Sequence, residues 1–139
     1  MVEHEYLLDT NVCIAILKNN LEVFKRVLAV GQSHCHISEI TIAELFYGAA
    51  KSGKASHFDD IIKITRLFDV IPMYTSLRRY GIVKAALEKQ GRRLDDFDLL
   101  IGTTALENDM VVVTANVKHL GRIPGIMVDN WEETNETLH

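Results

Sequence analysis

Short apolar runs alternate with longer amphipathic stretches along this chain, and the alternation predicts its elements. Tyr6-Leu7-Leu8 reads as a first strand, ended by Asp9-Thr10-Asn11. A helix to about Lys18 follows, and a second covers roughly Leu21–Val30, stopped by Gly31. Cys35-His36-Ile37 reads as a second strand. Ser38 is placed to cap a helix running to about Lys51, with Gly53 just beyond it. The next helix spans about His57–Leu67, and Val70-Ile71, closed by Pro72, is a third strand. Ser76 is placed to cap a long helix to about Gln90, ended by Gly91, and Asp95 and Asp96 open another to about Asn108. Val111-Val112-Val113-Thr114 is the clearest strand, since an unbroken β-branched run suits a strand covered on both faces. Ile126-Met127-Val128 reads as a short last strand.

Strands separated by helices imply a parallel sheet with helices on both sides. The expected fold class is therefore α/β, a three-layer α/β/α sandwich around a central, mainly parallel sheet. The 139 residues contain no visible repeat or long linker, so residues 1–139 are expected to form one domain. In open sheets of this kind, ligands bind beyond the carboxyl ends of the strands. Candidate chemistry is sought there.

A formal net charge of −4 changes the picture, because a general nucleic-acid binder is more often basic. If the chain handles RNA, the positive charge is local or comes from a metal ion. Lys51 with Lys54, Arg78 with Arg79, Arg92 with Arg93, and Lys118 with Arg122 are the local candidates. Each pair also fits an ordinary solvated surface. The two cysteines, Cys13 and Cys35, have no framework spacing, which suits a reducing cytosol. No signal-peptide layout opens the chain, and no apolar run reaches the roughly 18 residues of a membrane span. The expectation is a cytoplasmic protein with its N-terminus kept in the fold.

Asp9 directly follows the first strand, where a helix N-cap would also explain it. Glu44 lies in Ile40-Thr41-Ile42-Ala43-Glu44-Leu45-Phe46-Tyr47-Gly48-Ala49, apolar or small nearly all round, so this helix is expected to be buried. A carboxylate there is costly unless it is paired with a base or bound to a cation. Asp98 enters the almost wholly apolar helix Leu99–Leu106. The helix dipole favours Asp95, Asp96 and Asp98 alike, and composition does not choose among them. Direction separates them: Asp95 and Asp98 lie about 60° apart, whereas Asp96 points about 160° from Asp98. Asp95 is best placed to cap, and Asp98 lies on the line of Gly102. Asn116, two residues after the fourth strand, also fits turn chemistry. Together, four acids or amides follow strands or enter helices at what should be one edge of the sheet. Gathered carboxylates repel unless some are protonated or a cation is present, and hard oxygen ligands select Mg²⁺ or Mn²⁺. His34-Cys35-His36 suggests zinc at first sight, but a strand sends the histidines to one face and the cysteine to the other, so all three read as strand residues.

Tyr6-Leu7-Leu8-Asp9-Thr10-Asn11 resembles the opening motif of PIN domains. Ser38–Leu45 with Tyr47-Gly48 is similar to the second motif of the VapC-type toxins in that family, and Asp98-Leu99-Leu100-Ile101-Gly102 to the third. Val113-Thr114-Ala115-Asn116, then His119-Leu120, Ile123-Pro124-Gly125 and Trp131, resembles the fourth region and the tail. The resemblance implies a single PIN-like nuclease domain with Asp9, Glu44 and Asp98 as metal-binding acids. Asn116 falls where many members carry Asp. Thr10, Asn11 and Thr41 would be supporting residues. It further implies an Mg²⁺- or Mn²⁺-dependent endoribonuclease leaving 5′-phosphate and 3′-hydroxyl ends, silenced by a cognate antitoxin and assembled as a homodimer. Ala115 and Gly102-Thr103-Thr104 depart from the usual pattern, which touches substrate preference and activity level rather than fold. Two other readings stand beside it. A haloacid-dehalogenase-like phosphatase also opens with a strand and Asp-x-Asp, but Asn11 occupies the third position here. A catalytically weak PIN fold would bind RNA or protein without cutting.

Overall fold

Strands Glu5–Leu8 (β1), Cys35–Ser38 (β2), Asp69–Ile71 (β3), Met110–Val113 (β4) and Met127–Asp129 (β5) form one sheet in the computed structural model, which describes residues 3–132. Their order is β3-β2-β1-β4-β5, and every pairing is parallel. The helices are Thr10–Leu17 (α1), Leu21–Val30 (α2), Glu39–Ser52 (α3), Ala55–Leu67 (α4), Leu77–Lys89 (α5), Asp96–Glu107 (α6) and Val117–Leu120 (α7). From β1 the chain steps outward through β2 to β3, then crosses back to lay β4 on the other side of β1. The strand order thus reverses at β1 and β4, and a crevice opens there at their carboxyl ends.

The two-residue period of the strands sorts the core. Leu8, Cys35, Ile37 and Val113 pack with α1, α2 and α4 on one face, joined by Trp131. Leu7, Met110 and Val112 face Leu99, Ile101 and Ala105 of α6 on the other. The result is the three-layer sandwich that the alternation of elements implies. Helix α3 sits between the clusters: Leu45 and Ala49 join the first, while Ile40 joins the second.

Local signals set most boundaries. Asn20 accepts the amides of Glu22 and Val23 at the start of α2, Ser38 accepts the Thr41 amide at 3.1 Å, and Asp95 accepts that of Phe97 at 3.1 Å. Gly53 ends α3 with φ 71°, a left-handed conformation that costs glycine nothing.

Five expectations need correction. Ser76 does not cap α5 with its side chain: it closes a short 3₁₀ turn, Tyr74–Ser76, and its buried hydroxyl has no hydrogen-bond partner. Helix α3 is not covered all round, since Phe46 is 40% and Tyr47 68% exposed. The short α7 fills what reads as a loop, and Ile126 precedes β5 rather than opening it. Only Leu120 of α7 is fully buried, so four residues carry too little periodicity to announce a helix. His36 is a strand residue of β2, whereas His34 ends the 3₁₀ turn Gln32–His34 before it; His34 Nδ1 and His36 Nε2 bond the two oxygens of Glu5 at 2.5 and 2.8 Å, tying β2 and that turn to β1. Among the described residues, no helix is long and apolar enough to cross a membrane. The N-terminal Met1 and Val2 lie outside the described residues, as does 133–139.

Gly102 makes the closest helix contact on the α6 face. A Cβ there would lie 2.3 Å from the Ile123 Cδ1 atom and 3.2 Å from that of Ile126. Ile123 is 1% exposed and has little room to retreat. Gly102→Val is therefore expected to destabilise the fold by about 1–3 kcal/mol, the overpacking cost outweighing the gain in helix propensity. Urea unfolding of the two proteins measures it, and an unchanged midpoint would contradict the packing argument.

Candidate active site

The carboxyl ends of β1, β2 and β4 deliver the polar groups of one cluster. Asp9 follows β1 and is only 5% exposed. Its backbone amide bonds the Val113 carbonyl at 2.9 Å, continuing the β1–β4 ladder by one residue. Its Oδ1 accepts the Thr10 amide at 2.7 Å, and its Oδ2 accepts the Thr114 hydroxyl at 2.8 Å. Asp9 is thus both the N-cap of α1 and a buried carboxylate held at both oxygens. Burial raises its pKa, while the bonds from Thr114 and Thr10 oppose the shift.

Glu44 comes from α3 and is half-buried. Its Oε1 accepts the Thr10 hydroxyl at 2.5 Å, and Thr10 Oγ1 lies 3.3 Å from Thr41 Oγ1, which lies 3.3 Å from Ser38 Oγ. A hydroxyl has one proton to give. The short bond to a carboxylate claims that of Thr10, so Thr41 donates to Thr10 and Ser38 to Thr41. Ser38, Thr41 and Thr10 form a one-way chain ending at Glu44. Burial raises Glu44, the Thr10 bond lowers it, and the charges of Asp9 and Asp95 raise it further.

Asp98, in the first turn of α6, completes the set. Burial first, then the charges of Asp9, Asp95 and Glu44, push its carboxyl up to about 6, while His119 pulls the other way. Asp96 turns away, bonding Lys84 Nζ at 2.9 Å and the Tyr80 hydroxyl at 2.8 Å. Asn116 is half-buried: its backbone amide bonds the Thr114 hydroxyl at 2.9 Å, and its Oδ1 accepts from His119 Nδ1. Asn11 is exposed and makes no hydrogen bond to these acids among the described residues.

Three contributors escape a reading of the sequence. Thr114 reads as the last residue of a β-branched strand, yet its hydroxyl holds Asp9. Asp95 reads as a cap, which it is, yet its charge also reaches Glu44 and Asp98. His119 sits in a helix that the pattern does not reveal.

The donor chemistry fits a hard divalent cation. Asp9, Glu44 and Asp98 raise one another's pKa or are raised by burial, and none forms an ion pair with a lysine or arginine among the described residues. As they stand, no three His, Cys, Asp or Glu side chains among those residues lie close enough to grip one ion. An ion would have to draw the carboxylates inward, which Asp98 and Glu44 allow because both are half-exposed.

The family model of the PIN domain matches residues 6–125. The chain is similar to the tRNA(fMet)-specific endonuclease VapC of Salmonella typhimurium, 34% identical over 130 residues that cover 91% of this chain and 98% of that protein. It is also similar to ribonuclease VapC2 of Haemophilus influenzae, 30% identical over 132 residues with the same coverage. Among solved structures, VapBC2 from Rickettsia felis, bound to a DNA fragment from the promoter, superposes with a TM-score of 0.84 at 30% identity, covering 91% of this chain and 98% of that one. The matched span holds all four regions of polar residues described above. This chain belongs to the PIN-domain family, within its VapC ribonuclease branch.

Proposed function

We propose that this protein is an Mg²⁺- or Mn²⁺-dependent endoribonuclease, the toxin of a VapBC-type pair, with Asp9, Glu44 and Asp98 as its metal-binding acids. The observation that carries the reading is the gathering of three carboxylates at the β1–β4 edge, two of them braced by hydroxyls and none ion-paired with a lysine or arginine among the described residues. A bound divalent ion would neutralise the phosphate and lower the pKa of the attacking water. Asp9 is held at both oxygens, so it offers fixed lone pairs with little reorganisation. Thr10 orients Glu44 through its hydroxyl, with Thr41 behind it. Water adds to phosphorus, the P–O3′ bond breaks, and the 3′ oxygen leaves protonated. Asn116, an amide where an acid would add one more charge, keeps the site less negative toward the incoming polyanion. The homodimer is carried over as part of the same family reading, and solution mass at working concentration tests it.

The partner surface is also built from this chain. A groove of about 350 Å³, lined by Ile14, Leu17, Leu45, Ala49 and Ile61, has Glu44 in its wall. It continues through Leu17 and Asp60 into a second depression edged by Ile16, Leu21, Phe24 and Leu67. Leu21 is 70% and Phe24 50% exposed, which suits an apolar antitoxin segment that a monomer leaves unmatched. The Rickettsia felis relative is a VapBC assembly, which supports a toxin–antitoxin pairing here.

Chelation should abolish RNA cleavage, and Mg²⁺ or Mn²⁺ should restore it; full cleavage in excess EDTA by nuclease-free protein would overturn the metal dependence. Asp98→Asn should cut the rate by several orders of magnitude at saturating Mg²⁺. Asp96→Asn should stay near wild type, because its carboxylate serves Lys84 and Tyr80. Asp95→Asn should keep the cap and the saturated rate while requiring more Mg²⁺. If Asp98→Asn alone keeps wild-type activity, the third acid is misassigned.

Stability should report the same acids. Folded Asp98 holds its proton up to about 6, against 3.8 for the free side chain, so raising the pH between those values costs folding free energy. In EDTA, Asp98→Asn should therefore melt above the wild type at pH 8, and the gap should close below pH 4. Mg²⁺ should narrow the gap at pH 8 by stabilising the wild type alone. A difference in Tm that is flat with pH would contradict the electrostatic account.

Phe24→Asp should weaken capture of the co-expressed antitoxin while leaving RNA cleavage intact. Pull-down of the pair and a cleavage assay on the free toxin read the two effects separately. Undiminished capture would move the partner surface elsewhere.

A further inference from the structure

His119 is exposed on α7, and its contacts fix its place and the side of the ring that faces Asn116. Leu120 beside it is 0% exposed in the α6-side core, and its amide bonds the Asn116 carbonyl at 3.2 Å, so the turn is anchored. The Asn116 amide bonds Thr114 Oγ1, and that hydroxyl bonds Asp9 Oδ2. Two consecutive hydrogen bonds therefore tie the turn that carries His119 to the deepest acid of the site. The Asn116 side-chain oxygen can only accept, so the His119 nitrogen facing it, Nδ1, must carry a proton. Nε2 is left as the outward nitrogen, with no hydrogen bond to any described residue.

The surroundings say what that nitrogen can meet. Arg79 is paired with Glu107, Lys84 with Asp96, and Arg93 lies by Glu88. His119, by contrast, is the basic side chain whose charge reaches Asp98. A polyanion drawn toward these carboxylates needs donors at the rim of the site. A basic residue in the last turn of a helix can also serve merely to balance the helix dipole. Four residues make a weak dipole, however, and do not require a ring locked by an asparagine.

We propose that His119 is a substrate-contact residue of the ribonuclease: Asn116 locks the ring through Nδ1–H, and the charged imidazolium, with its second proton on Nε2, donates a hydrogen bond to a non-bridging phosphate oxygen of the RNA strand at the acids. This rests on the ribonuclease reading above. It also gives Asn116 a role distinct from a metal ligand, since its oxygen is already taken by the ring.

Two substitutions separate contact from scaffold. The amide nitrogen of an asparagine side chain lies about where Nδ1 of histidine lies, and that of glutamine about where Nε2 lies. His119→Asn should keep the bond to Asn116 and the wild-type melting temperature, yet lose about ten- to hundredfold in kcat/KM, chiefly through KM. His119→Gln should recover part of that loss. Wild-type kinetics in His119→Asn would overturn the contact. So would an equal loss in both variants accompanied by a lowered Tm, which marks a scaffold. A second readout needs no cleavage. In full-length protein with nitrogen-15-labelled histidine, the neutral ring of His119 should carry its proton on Nδ1, and Asn116→Ala should release that preference. In the Asp98→Asn background, where the strand stays whole, a short single-stranded RNA should shift the Nε2 resonance. RNA that binds without moving Nε2 overturns the contact even if the wild type cuts RNA. A wild type that neither binds nor cuts RNA overturns the ribonuclease reading itself, and the contact with it.

Discussion

The structure turns on a carboxylate buried at the end of its central strand. Asp9 is 5% exposed, and an unpaired carboxylate in that position would cost several kcal/mol. The fold meets the cost with the first amide of α1 on one oxygen and the Thr114 hydroxyl on the other. Those donors come from the two strand ends that meet where the sheet order reverses, so satisfying Asp9 and closing the β1–β4 crevice are one event. The same Thr114 hydroxyl accepts from the Asn116 amide and so sets the turn that carries His119.

The layers around the sheet explain why the site is open on one side. On the α6 side, Gly102 allows Ile123 to approach a helix backbone directly. The α1–α2–α4 layer leaves Leu21, Phe24 and Leu28 largely exposed along one side of α2. A domain of this size gains little by exposing such a stripe, and the depression at Leu21 and Phe24 shares Leu17 and Asp60 with the groove that has Glu44 in its wall. The acids and the apolar surface therefore share a boundary, so one partner can cover both.

The site also carries an energetic cost that the rest of the fold offsets. Asp9, Glu44 and Asp98 are each harder to ionise than free carboxylates, which lowers the stability of the ionised fold. Two buried apolar clusters, one on each face of the sheet, supply the surplus. The hydroxyls of Ser38, Thr41, Thr10 and Thr114 limit the cost locally by donating toward the acids. Stability spent in this way is ordinary for a site arranged to receive a cation or a charged substrate.

Much of this was legible in the chain itself, because strand and helix periods are local. The β-branched run at residues 111–113, the caps Ser38 and Asp95, and the stop at Gly53 depend on neighbours within a few positions. Asp9, Glu44 and Asp98 could be nominated because a carboxylate amid apolar residues is costly wherever the chain places it. What tertiary structure alone decided involves groups far apart in sequence. Thr114 reaches Asp9 across 105 positions, and Thr10 reaches Glu44 across 34. The exposure of Phe46 and Tyr47 could not be read from an apolar helix, since burial depends on which elements arrive to cover each face. Asp96 left the site for Lys84 and Tyr80, while Asp95 kept its cap and lent its charge, a division set by how α5 packs on α6. Periodicity names the element and composition names the chemistry; the direction of a side chain and the identity of its partner wait on packing.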